Sequence, residues 1–310
     1  MKLEFNFREI AEQWKNQKKD LVKRSTIAAY TLILEKHLLT YFETKNPNQE
    51  TVQEFVDSKI KDGLSKKSVK DILVVLKMIL KYAANLGYNV TGEFKIYFPK
   101  EYENKEIQVF SPNEQKILRD FLISHFSFKN IGILICLNTG MRIGEICALK
   151  WGDINLKKGI VLVSKTLYRI YEKKTDDPNT QLVIASPKTQ HSYRSIPLSD
   201  SLKTTLQNMK SMTRNDFFVL TNTPEPIEPR TYRNYYKKLL QKLNLPELTF
   251  HGLRHTFATR CIESGCDYKT VSAILGHSDI TTTLNLYVHP TQDQKKRCIE
   301  KMLDSLLSDS

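Results

Sequence analysis

The chain has 310 residues, 40% of them apolar and 26% charged, which excludes a disordered polyelectrolyte and leads us to expect two globular domains. Lysine and arginine number 47 against 34 aspartate and glutamate, a formal charge of +13 spread over both halves, which favours nucleic acid or another polyanion as partner. No apolar run approaches the ~20 residues that span a bilayer, no signal-peptide pattern opens the chain, and the five cysteines include no Cys-x-x-Cys pair, so a reduced cytoplasmic protein without membrane contact is expected.

Residues 1–90 read as helical throughout. Phe7, Ile10, Ala11 and Trp14 recur at helical spacing; Ile27, Tyr30, Ile33, Leu34 and Leu38 form a second stripe; Val52, Phe55, Val56 and Ile60 a third. The longest helix runs from Ser65 to Leu86 and is closed by Gly87. Four helices with short loops make a small bundle, and Lys59, Lys61, Lys66, Lys67, Lys70, Lys77 and Lys81 load one part of it with positive charge, as a solvated face or as phosphate contacts.

Residues 91–110 lose periodicity and are expected to be a linker. Ser111-Pro112-Asn113-Glu114 has the form of a capping box with proline at the first helical position, and opens a second domain over 111–310. A buried helix covers Ile131 to Leu137 and stops near Thr139-Gly140. Ile160 to Val163 is a β-branched apolar strand. Gln181 to Ala185 and Tyr193 to Pro197 are expected to pair as a hairpin about a polar turn, Lys188 to Ser192, with Glu172 to Thr180 as a polar excursion. Helices resume near Ser199, Arg230, Phe250, Asp267 and Thr281, and a last one spans Thr291 to Leu307. The fold class is therefore mainly α with a small antiparallel β-sheet, a helical bundle followed by an α+β domain.

Three segments carry the chemistry. In Thr139-Gly140-Met141-Arg142-Ile143-Gly144-Glu145, Glu145 lies three residues after Arg142 and faces it. In His251-Gly252-Leu253-Arg254-His255, a guanidinium and two imidazoles share one helical face, a cluster that is costly to enclose without an anion. The third runs through Leu275-Gly276-His277 and Thr281-Thr282-Thr283 to Leu286-Tyr287-Val288-His289. His251 and His255 at i, i+4 are also a zinc spacing, but Arg254 between them opposes a cation and no glutamate follows the first histidine as in a zinc protease. No Gly-x-x-x-x-Gly-Lys-Ser/Thr loop is present. No metal or cofactor is expected.

Taken in order, these segments resemble the boxes of the tyrosine recombinase (phage-type integrase) family, over about residues 108–300. Ser186-Pro187-Lys188-Thr189 followed by Arg194-Ser195-Ile196-Pro197 resembles the family's β-turn lysine segment, although Lys165 stands in a similar Ser-Lys-Thr context. The resemblance implies Tyr287 as nucleophile, Arg142 and Arg254 as clamps on the scissile phosphate, Lys188 as general acid, His251 in proton transfer and His277 as a phosphate ligand. Glu145 and His255 would brace these groups. It also implies a bundle that binds core-site DNA and cleavage through a 3′-phosphotyrosyl intermediate. The protein would act on double-stranded DNA with inverted core sites, as a homodimer on one site and a homotetramer in synapsis, its C-terminal helix docking on a neighbour. The long segment from Leu167 to Gln181 is most like integrases of conjugative transposons and related mobile elements, for which an accessory excision factor is a further candidate partner. A chromosome-dimer resolvase of the same family, a type IB topoisomerase-like relaxase and a non-catalytic DNA-binding regulator are the alternatives. No room for an arm-site-binding domain is expected ahead of the bundle.

Overall fold

The computed structural model describes residues 5–99, 107–174, 177–186 and 193–287, with Lys296, Ile299, Glu300 and residues 302–304; at 172–174, 177–179 and 285–287 it describes the backbone alone. Its contacts divide the chain into one unit of Met1–Asn104 with Arg169–Gln181, and a second of Lys105–Tyr168 with Leu182–Ser310.

The first unit is the helical bundle. Helix α1 (Phe7–Lys19) starts where the Asn6 side chain accepts from the Glu9 N–H and buries Phe7, Ile10, Ala11 and Trp14. Helix α2 (Arg24–Ile33) runs through a π turn at Leu34–Leu38 into α3 (Leu39–Phe42). Helix α4 (Gln49–Lys61) begins with a capping box between Asn48 and Thr51, and α5 (Lys66–Asn85) with the Ser65 hydroxyl on the Ser68 N–H. Trp14, Phe42, Phe55, Leu76 and Leu80 meet in the centre.

Residues 91–99 form no helix or strand, but Phe94, Ile96 and Phe98 pack on this core. Gln49 and Gln53, one turn apart on α4, fasten the segment as a neighbouring strand would. The Gln49 side chain exchanges bonds with the Lys95 backbone (Nε2 to O 2.8 Å, N to Oε1 3.0 Å), and Gln53 does the same with Tyr97 (3.0 Å each). The stretch expected as a linker is thus, over 91–99, part of the bundle. Sequence periodicity misses this because the partner is a pair of side chains, four positions apart on a helix, that bind alternate backbone positions 95 and 97.

In the second unit, α6 (Pro112–Ser124) opens with the expected Ser111–Glu114 capping box. Helix α7 (Phe128–Thr139) is buried from Asn130 to Leu137 and is the central element, enclosed by Trp151, Tyr232, Tyr236 and Phe250. After α8 (Ile143–Ala148) come strands β1 (Ile154–Asn155) and β2 (Ile160–Val163), then β3 (Thr166–Lys174), β4 (Asp177–Ala185) and β5 (Arg194–Pro197). The chain ends its described course through α9 (Asp200–Gln207), α10 (Pro229–Lys242), α11 (Phe250–Glu263), α12 (Tyr268–Leu275) and α13 (Ile280–Tyr287).

The pairing corrects one expectation. Strand β5 lies antiparallel to β2, with Val161 opposite Ile196 and Val163 opposite Arg194, while β4 pairs with β3. The polar stretch read as an excursion supplies the distal part of the β3–β4 ribbon. A two-stranded ribbon is held by backbone bonds, and polar side chains do not interrupt those. Within the first unit, Tyr171 Oη donates to Glu35 at 2.8 Å and Arg24 Nη2 donates to Gln181 at 2.9 Å.

Candidate active site

The site forms where two left-handed glycines end two helices. Gly140, with φ of +63°, caps α7, and its N–H donates to the Cys136 carbonyl at 2.8 Å. The turn delivers Arg142 to the start of α8, where its backbone N–H donates to Glu145 Oε2 at 2.8 Å and its Nη1 to Oε1 at 2.9 Å. Gly276, with φ of +67°, caps α12 and turns the chain into His277. The two turns are tied together. Arg142 Nη2 donates to the Gly276 carbonyl at 3.1 Å, and Nη1 lies 3.5 Å from the Leu275 carbonyl.

Helix α11 supplies a second guanidinium and two imidazoles. Arg254 is 1% exposed, and its Nη1 donates to the Gly140 carbonyl at 2.9 Å. His251 and His255, one turn apart, meet edge to face with ring centroids 4.5 Å apart. His277 shares a 2.8 Å hydrogen bond between Nδ1 and the hydroxyl of the fully buried Thr283, the third threonine of the run on α13. This fixes the ring and leaves Nε2 for another partner.

The electrostatics follow from crowding of positive groups. Desolvation and then Arg254, Arg142, His251 and Arg194 push His277 down to about 4. Desolvation, His251 and Arg254 bring His255 to about 4 as well. His251, partly desolvated and beside Arg254 and Arg142, is lowered too. Burial alone would raise Glu145, but the bond and charge of Arg194 and the charge of Arg142 outweigh it and hold the carboxyl below the usual range. Burial keeps the Cys136 thiol well above its ordinary value, and it donates to the Met141 carbonyl as a structural group.

Arg142, Glu145, His251, Arg254, His255 and His277 are thus one connected group. The C-terminal end of α13 carries the Tyr287 backbone, and α13 packs on α12 and α11. Lys188 lies outside the described residues; its segment joins β4 to β5. Lys165, its competitor, pairs instead with Asp153 at 3.4 Å. Among the described residues no group of three or more His, Cys, Asp or Glu side chains could hold a metal ion, and no helix is long and apolar enough to cross a membrane.

Sequence reasoning missed Arg194. On β5 it forks onto Glu145, Nη2 to Oε2 at 2.8 Å and Nη1 to Oε1 at 3.1 Å, and its Nε donates to the Ile274 carbonyl at 2.6 Å. Strand alternation puts residue 194 on the same inward face as Ile196. A charged residue on a core face calls for a buried counter-ion, and that signal was legible.

The model described as Phage integrase family matches residues 109–294, and that described as Phage integrase, N-terminal SAM-like domain matches residues 6–57. A "Tyrosine recombinase XerC-like" protein of Caldanaerobacter subterraneus subsp. tengcongensis is 31% identical over 277 residues, covering 82% of this chain and 70% of that protein. The transposase from transposon Tn916 of Enterococcus faecalis is 33% identical over 177 residues, 52% of this chain and 42% of the transposase. The solved Tn1549 transposon integrase, in complex with transposon right-end DNA, superposes with a TM-score of 0.79 at 22% identity, over 96% of this chain and all of that one.

Proposed function

Because this chain belongs to the phage integrase family, and is an enzyme of site-specific DNA strand cleavage and transfer, we propose that Tyr287 is its nucleophile and that Arg142, Arg254 and His277 receive the scissile phosphate. The observation that carries this reading is the tie between the Gly140–Arg142 turn and the Leu275–His277 turn, in which Arg142 bonds the Gly276 carbonyl and Arg254 the Gly140 carbonyl. Attack by the phenolic oxygen forms a phosphorus–oxygen bond, the bond to the 5′-oxygen breaks, and the leaving oxygen takes a proton from Lys188. His251 assists proton transfer, and Glu145 and His255 brace the cations. The permanent charge of arginine stabilises the developing oxyanion without a Lewis acid. The 3′-phosphotyrosyl ester conserves the bond energy, so a second 5′-hydroxyl reverses the step and rejoins the strands.

The biological task we propose is integration and excision of a mobile element, acting in the cytoplasm on inverted core sites, as a homodimer on each site and a tetramer in synapsis. The β3–β4 ribbon supports a mobile-element task over chromosome-dimer resolution, since it is built from the long Leu167–Gln181 segment that resembles integrases of conjugative transposons. Ile299, Met302 and Leu303, all exposed, suit a helix that docks on a neighbouring protomer. An accessory excision factor is a further proposed partner, visible as excision by extract but not by purified chain.

The test is a suicide-substrate assay in EDTA on attachment-junction DNA and on chromosome-dimer sites. Wild type should trap a covalent 3′-phosphotyrosyl adduct, more on the junction DNA, while Tyr287→Phe binds the same DNA and traps none. Adduct persisting in Tyr287→Phe would overturn the assignment of the nucleophile.

A further inference from the structure

Glu145 sits between two guanidiniums and uses both oxygens twice. Oε1 accepts from Arg142 Nη1 and Arg194 Nη1, and Oε2 from the Arg142 backbone and Arg194 Nη2. The three groups are not equivalent. The Arg194 and Glu145 side chains are 6% and 5% exposed, whereas that of Arg142 is 37% exposed. Arg194 and Glu145 therefore form a desolvated pair, and Arg142 is the member of the triad that faces outward.

Resting on the function proposed above, we propose that Arg194 is a positioning residue that neutralises Glu145, so that Arg142 can be held by this carboxylate and still act as a net cation toward phosphate. One carboxylate with one guanidinium has no net charge, so a brace made of Glu145 alone would cancel the arginine it orients. A second guanidinium removes the conflict, and burial strengthens it because the pair is poorly screened. Arg194 also contributes geometry. Ile274, Leu275 and Gly276 are three successive carbonyls at the end of α12; Arg194 binds the first, and Arg142 binds Gly276 and reaches Leu275. The start of β5, which follows the Lys188 segment in the chain, is thereby fixed to the turn that carries His277.

The two contributions make opposite predictions for a double variant. Single-turnover cleavage of suicide DNA at saturation is read for wild type, Arg194→Met and Arg194→Met with Glu145→Gln, with DNA affinity and thermal melts in parallel. Arg194→Met should lose ~10²-fold in cleavage rate, the loss of one preorganised donor, because Glu145 now cancels Arg142. Removing the carboxylate as well should restore at least tenfold of that rate. Loss of a mere staple would leave the double variant no faster than the single one, and that result overturns the proposal, as does Arg194→Met within threefold of wild type. Should Arg194→Met lack a cooperative melt, Arg194→Lys takes its place: charge kept without the fork should cleave within tenfold of wild type, and a hundredfold loss overturns the proposal. Wild type that cleaves no DNA sinks the proposed function instead, which separates the two failures.

Discussion

Gly140 shows how one residue serves packing and chemistry together. A Cβ built there would lie 2.6 Å from Leu275 Cδ2 and 2.6 Å from Phe257 Cδ1, and φ of +63° is a conformation that side chains disfavour. Its carbonyl is also the acceptor that holds Arg254. Gly140→Ala should therefore cost about 1–3 kcal/mol of stability, seen in urea unfolding, and should lower cleavage at saturating DNA by more than the folded fraction accounts for. Unchanged cleavage per folded molecule would detach Gly140 from the site.

The histidines make a second residue-scale prediction, about pH. His255 and His277 are held near 4 in the folded protein, against ~6.5 when unfolded. Between those values the unfolded chain binds protons that the folded one refuses. Stability is therefore full above about 6.5 and falls as pH drops toward 4, with a slope of at most ~1.4 kcal/mol per pH unit for each ring, reduced because both rings retain some solvent. Urea midpoints should decline between pH 7 and 5, and His277→Asn should show the shallower decline. A bound phosphate favours the imidazolium, so DNA binding near pH 5.5 should take up protons, measurable by calorimetry in buffers of different ionisation heat. Flat stability over this range would sink both expectations.

At the level of elements, legibility followed the range of the interactions. The helices of the bundle, the Ser111 cap and the stop at Gly140 were readable because periodicity, caps and glycine act within a few residues. The Arg142–Glu145 pair was readable for the same reason, being three residues apart. Strand partners were not. The Gln181–Ala185 segment is adjacent in sequence to β5 yet pairs with β3, and β5 reaches back to β2, across more than thirty residues of chain. The Arg194 fork onto Glu145 spans 49 residues and depends on that pairing, so the partner was hidden even though a charge on the core face of a strand was legible. Thr283 was visible only as one of three threonines, since which of them faces His277 depends on how α13 leaves the Gly276 turn. Where a side chain substitutes for backbone, as Gln49 and Gln53 do for residues 95 and 97, no local signal exists.

At the scale of the whole molecule, the charge of +13 concerns affinity more than chemistry. In the bundle, Lys61, Lys67, Lys70, Lys77 and Lys81 are exposed, while among the described residues Lys59 pairs with Asp62 at 3.0 Å. Lys66 and Lys70 lie over the Phe98 ring, at 5.5 and 5.7 Å, which holds their stems against the segment that Gln53 fastens. Such a face suits contact with backbone phosphates rather than bases, and each phosphate neutralised releases about 0.9 of a counterion. Replacing Lys61, Lys67, Lys70, Lys77 and Lys81 together with glutamine should therefore flatten the plot of log affinity against log salt by about 4–5 in slope. The measurement is fluorescence anisotropy on one duplex between 50 and 200 mM salt, a range chosen so that the electrostatic part dominates. If the slope stays at its wild-type value, these lysines are a solvated face and make no phosphate contact.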